Sequence, residues 1–328
     1  MDLADVPLAL ARAVHLLSSS LVAGTLLFGS VVAEPAFGSV AGHDTALSDR
    51  FRRRSTRLVA CALLLALASG AAWLVLLAQQ IGEQPLAEAL RDTAWTLLTQ
   101  TQFGTVWQFR FACAMALGVL AFASMRRGVR RTGVLSGIAL VVSVLFVGAL
   151  AWSGHGGATP GRAGYIHAAA DVLHLIAAAA WVGGLVPLVM LIVLGAADGP
   201  DRVITTDALR RFSSLGVITV ATILATGVVN SWLLVGGLDG LTDTGYGRLL
   251  LLKIALFLIM LAFAALNRER SMPRLAADAA GPAEQSSSAL DDIRRNAVAE
   301  IALGAIVFLI VGFLGLLEPA VHAHGHVH

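Results

Sequence analysis

Charge is what this chain has least of. Of its 328 residues only 13% are Asp, Glu, Lys or Arg, against about 25% in a soluble globular domain. Hydrophobic residues make up 57%, and the mean hydropathy is +0.79. A soluble domain is excluded, and the chain is an integral membrane protein. Lysine is nearly absent: Lys253 stands alone among 23 basic residues, and the rest are arginines. The two cysteines, Cys61 and Cys113, lie in apolar runs and form no CxxC pair, so they read as small core hydrophobes. No P-loop, GxSxG, HExxH or Rossmann fingerprint stands in a suitable context, which argues against ATP-driven pumping and against an enzyme. A cleavable signal peptide is not expected either. The N-terminus is acidic (Asp2, Asp5) and its apolar run continues past Val32, as a first transmembrane helix would.

Windows of about 20 apolar residues suffice to span hydrocarbon, and the chain has eight: 8–33, 57–80, 104–125, 133–152, 167–195, 212–235, 247–266 and 297–317. The fold class is therefore all-α and polytopic. Segment 83–103 is too polar to span and reads as an amphipathic interfacial helix and loop. The longest polar connection, 267–296, reads as a mobile loop. Seventeen of the 23 basic residues fall in the connections after the first, third, fifth and seventh windows. By the positive-inside rule these connections are cytoplasmic and both termini face the periplasm. Eight of the nine histidines then lie in the outer half, with His43 the exception.

The chain also reads as duplicated. The first window carries HLLSSSLVAGTL from His15 and the fifth HLIAAAAWVGGL from His174, each with a glycine nine residues on. The third opens TQFGTVWQFR and the seventh TGYGRLLLLK, both fitting T-x-[FY]-G-x5-[RK], with Arg110 and Lys253 at the last position. Ser69-Gly70 and Thr226-Gly227 form a weaker matching step. Four helices per unit is an even number, so the halves share one orientation and a pseudo-twofold along the membrane normal relates them. Residues 1–152 form the first repeat, 153–317 the second, and 318–328 a His-rich periplasmic tail.

The stretch from His167 to Leu185 carries the chemistry. His167, Asp171 and His174 stand at i, i+4 and i+7, on one helix face. An ionisable cluster inside hydrocarbon is a functional-site hypothesis by default. Imidazole is the commonest protein metal ligand, and Asp171 either ligates or orients an imidazole. His155, in the Gly-rich turn SGHGGATPG, can fold back to supply a further ligand. His15 either completes one shared site or marks a degenerate second one. The tail histidines His322, His324, His326 and His328 form a short tract suited to low-affinity metal collection. Gly183 and Gly184 permit close helix approach, and Trp73, Trp152, Trp181 and Trp232 read as mostly interfacial belt residues. Arg110 and Lys253 either snorkel outward, pair with a buried carboxylate, or serve an anion relay. Met115, Met125, Met190 and Met260 are too few for a thioether ladder.

ARAVHLL, SGHGG, DVLHLIAAAAWVGGL and TGYGRLLLLKIALFLIMLAFAALNR together resemble the CopD family of copper-resistance membrane proteins, over essentially the whole chain. The resemblance implies a bacterial inner-membrane protein of copper homeostasis, with uptake toward the cytoplasm. It implies a separate periplasmic CopC-type copper-binding partner, since no such β-domain is attached. It favours His155 and His174 as copper positions, with Trp181, Gly183, Gly184, Tyr246, Gly247, Lys253, Asn267 and Arg268 as family-pattern residues of unassigned role. Copper, as Cu+ or Cu2+, is the expected ion; the bilayer is the expected surrounding, and nucleic acid is not a partner. A membrane cytochrome with His15 and His174 on a b-type haem is the rival reading. A copper-delivery accessory protein that does not transport is a third.

Overall fold

The computed structural model describes residues 5–40, 46–82, 85–127, 133–154, 161–195, 199–278 and 283–323. Eight helices are long and apolar enough to cross a membrane: α1 (Val6–Phe37), α2 (Ala46–Gly82), α3 (Gln102–Met125), α4 (Gly133–Ser153), α5 (Gly161–Leu194), α6 (Pro200–Val235), α7 (Gly245–Leu275) and α8 (Ser288–Leu314). No strand occurs among the described residues. In hydrocarbon each backbone polar group must be satisfied within its own segment, which leaves the helix as the solution for an apolar run of this length.

Local chemistry marks the ends. Pro7 and Pro200 stand in the first turns of α1 and α6, where a missing N–H costs nothing. Gly236, at φ 74°, closes α6 in the left-handed conformation. The T-x-[FY]-G motif turns out to be a capping device used twice. The Thr101 hydroxyl accepts from Gly104 N at 3.1 Å and the Thr244 hydroxyl from Gly247 N at 2.9 Å. Gly104 and Gly247 are obligatory there, because a Cβ would collide with carbonyls of the short helices Ala94–Gln100 and Leu238–Asp243 that precede α3 and α7.

One expectation for the polar segments needs revision. Residues 267–296 are not a loop where described: a π-turn (Asn267–Ser271) and a helix (Met272–Asp278) extend α7, and α8 begins within a helix that starts at Ala283. The arginines that end the apolar pattern are good helix formers, so the helices run on past the hydrocarbon. The same holds for α2 and α6, which start about three turns before their apolar windows. Residues 86–100 are helical as expected of an interfacial segment, with Ala89 and Ala94 buried on Ala78 of α2 and Leu86, Leu90 and Trp95 exposed.

α1 and α5 form the centre: 67% of the apolar window is buried in each, against 11% in α7. α1 packs on α2, α4, α5 and α8; α5 packs on α6, α4 and α8 as well. They cross where Gly24 meets Gly183, the two glycines nine residues after their histidines. A Cβ on Gly183 would fall on the Ser20 carbonyl and within 3.1 Å of Gly24 Cα. At one end of the bundle Arg52 pairs with Glu34 at 2.8 Å, Arg50 with Asp201 at 3.7 Å, and Arg268 reaches Ser213 O at 3.2 Å. His15, His167 and His174 lie toward the other end, where Gln80 meets Asp5 and Gly312 packs on Ala9.

Candidate functional site

α5 starts at Gly161, earlier than its apolar window, so His167 lies nearly two turns inside the helix and is 1% exposed. Asp171 and His174 follow on the same face, both half-buried. His174 Nδ1 lies 2.9 Å from Thr226 Oγ1, whose own hydrogen goes to Thr222 O at 2.6 Å. A hydroxyl already donating can only accept, so Nδ1 carries the proton and the Nε2 lone pair is left for another partner. Asn230, one turn along α6, donates to Asp171 Oδ1 at 2.8 Å. Asp171 also lies within electrostatic reach of His167, Lys253 and Tyr246, and Lys253 within reach of His174. The Thr244 cap sets the depth at which Lys253 stands on α7.

His15 stands in a different setting. Its Nδ1 donates to Ala66 O at 2.9 Å, and its Nε2 accepts from Arg110 Nη2 at 2.7 Å. Both ring nitrogens are thereby used. Arg110 is 2% exposed and does not snorkel. It spends its donors on His15, on Ser19 Oγ at 3.0 Å and on Phe146 O, with no carboxylate paired to it among the described residues. Trp107 and Trp73 flank the imidazole at 5.0 and 5.7 Å.

No three His, Cys, Asp or Glu side chains among the described residues come together as a metal-holding group. His155, His43, His324, His326 and His328 lie outside the described residues, and His322 is placed only by its backbone, in the turn Ala320–Ala323. Trp73 and Trp181 are 2% and 3% exposed and belong to the interior, unlike the exposed Trp152 and Trp232. Trp181 Nε1 donates at 3.1 Å to Glu300, a carboxyl 2% exposed in α8 that drew no notice in the sequence. Gly184 lies under the Phe212 ring. Tyr246 is buried beside Gly247 at the α7 cap. Asn267 accepts from Asn296 at 2.7 Å and Arg268 holds Ser213, so these two fasten the arginine-rich end. Thr226 and Asn230 were missed as partners, although the Thr226-Gly227 step marked their helix.

An eight-span helical membrane protein with buried histidines near one end is thus defined. The chain belongs to the copper resistance protein D family. The model described as "Copper resistance protein D" matches residues 206–314, and "Copper resistance protein D-like, N-terminal domain" matches residues 3–165. Inner membrane protein YebZ of Escherichia coli (strain K12) is 31% identical over 94% of this chain and 97% of its own length. Copper resistance protein D of Pseudomonas syringae pv. tomato is 31% identical over 69% of this chain and 72% of its own. Copper transport protein CutJ of Bacillus subtilis (strain 168) is 31% identical over 52% of this chain and 31% of its own. No solved structure gives a significant match.

Proposed function

We propose that the chain binds copper and mediates its transport or homeostasis at the bacterial inner membrane, through a histidine site near the periplasmic face. His174 is the principal ligand, by Nε2, with Asp171 and His167 on the same face and His155 as a further ligand. The observation that carries this is the fixed tautomer of His174, which Thr226 orients as an outer partner orients a metal-bound imidazole. Imidazole and carboxylate ligands accept Cu2+ as well as Cu+. The His-rich tail collects copper, and a separate CopC-type protein delivers it.

The halves are two four-helix repeats, 1–152 and 153–317, related by a pseudo-twofold along the membrane normal. Paired details support this. His15 and His174 each bond by Nδ1 to the following helix. Thr101 and Thr244 cap alike, and Gly24 meets Gly183 at the centre. The clustering of arginines at the opposite end supports periplasmic termini. The haem reading is weaker, because Arg110 occupies the Nε2 of His15 that an axial ligand needs.

Elemental analysis of purified protein from copper-supplied cells tests the proposal. Bound copper that disappears in His174→Ala supports it. Unchanged copper in that variant refutes the site, and stoichiometric iron would restore the haem reading.

A further inference from the structure

The two halves carry opposite charge at one matching position. Arg12 precedes His15 by three residues, as Asp171 precedes His174. Arg12 lies 4.7 Å over the Trp73 ring, where the second half has the Asp171–Asn230 hydrogen bond. Arg110 stands where the second half has Lys253. Beside His15 the first half therefore holds two guanidinium groups, Arg12 and Arg110, and no Asp or Glu is paired with either among the described residues.

Its donors are also in surplus. Arg12 Nε, Trp73 Nε1, Trp107 Nε1 and Arg110 Nε are all buried with no hydrogen-bond partner. They belong to one contiguous group, since Trp73 and Trp107 are 5.5 Å apart and Trp107 lies 5.0 Å from the His15 ring that Arg110 holds. Buried donors are normally satisfied, and each exception asks for an explanation. Water could meet the N–H groups but would leave two cations uncompensated within the membrane-spanning helices, which is costly. An acceptor that also carries negative charge answers both requirements.

We infer that the Arg12–Trp73–Trp107–Arg110 cluster beside His15 is a binding site for a small, weakly hydrated monovalent anion, chloride being the physiological example. The choice of a monovalent ion follows from desolvation. The cost of leaving water rises steeply with ionic charge, and an aromatic-lined site offers N–H donors but little other solvation. A phosphate or a divalent oxyanion would pay far more to enter. The site is independent of copper and shares no side chain with the His174 cluster.

The test uses the full-length, copper-free protein in phosphatidylcholine nanodiscs. Thermal unfolding and tryptophan emission are followed while sodium chloride replaces sodium gluconate at constant ionic strength. The expected result is a saturable rise in Tm with a matching emission change. Trp107→Phe keeps an aromatic side chain and removes one donor, and Arg12→Gln removes one charge at a half-buried position. Each should raise the half-saturating chloride by about tenfold or more. Superimposable chloride and gluconate curves in the parent protein overturn the inference. So does an unchanged half-saturation in both variants. Stabilisation by phosphatidylglycerol that chloride fails to reproduce overturns it too, in favour of a lipid headgroup.

Discussion

At the residue scale, the two histidines differ in what holds the second ring nitrogen. Among the described residues no hydrogen bond takes Nε2 of His174 while Thr226 holds Nδ1; His15 has Nε2 closed by Arg110. Removing the orienting hydroxyl should therefore hurt metal binding without touching a ligand. Thr226→Val should weaken copper affinity by about tenfold or more, read by competition with a chromogenic chelator. His15→Ala should leave the copper affinity of the second half unaltered. The reverse pattern, a silent Thr226→Val and a copper-deficient His15→Ala, would move the metal site into the first half.

At the element scale, short motifs do mechanical work. Thr244→Ala removes the cap that starts α7 and should cost about 1 kcal/mol, seen as a lower Tm in detergent. Gly183→Ala is expected to be worse, about 1–3 kcal/mol, because the methyl meets backbone atoms of Ser20 and Gly24 that cannot step aside. Gly118→Ala in α3 is the control, since nothing lies within 4 Å of its added Cβ. Equal Tm values for the Gly183 and Gly118 variants would remove the close α1–α5 crossing. The apolar windows located all eight spans in the sequence, since hydrocarbon thickness sets their length. They misjudged the polar ends, reading 267–296 as a loop. Hydropathy reports where lipid ends, whereas helix hydrogen bonding continues through arginine-rich sequence that favours helix. The tryptophans failed for a related reason: hydropathy does not say which side of a helix faces lipid, and only their neighbours place Trp73 and Trp181 inside.

At the scale of the whole molecule, the different settings of His15 and His174 give a stoichiometry. With His15 capped by Arg110, the protein should bind about one copper per chain at the proposed site, and elemental analysis on a tail-truncated chain checks it. Two equivalents would mean that the first half also ligates. The proposed orientation predicts that a reporter active only in the periplasm works when fused after His328, and fails when inserted in 128–132. Activity at both positions, or only at the inner one, would reverse the topology.

The sequence by itself determined the class, the eight spans, the repeated His and T-x-[FY]-G signatures, and the family that carries them. These depend on composition and on local spacing, which the membrane constrains one helix at a time. Only the tertiary structure decided that Arg110 closes His15, that Thr226 orients His174, that Gly24 and Gly183 touch, and that Trp181 meets Glu300. Each of those is a contact between helices distant in the chain. Their partners are chosen by how the helices pack, and no periodicity within one helix records it.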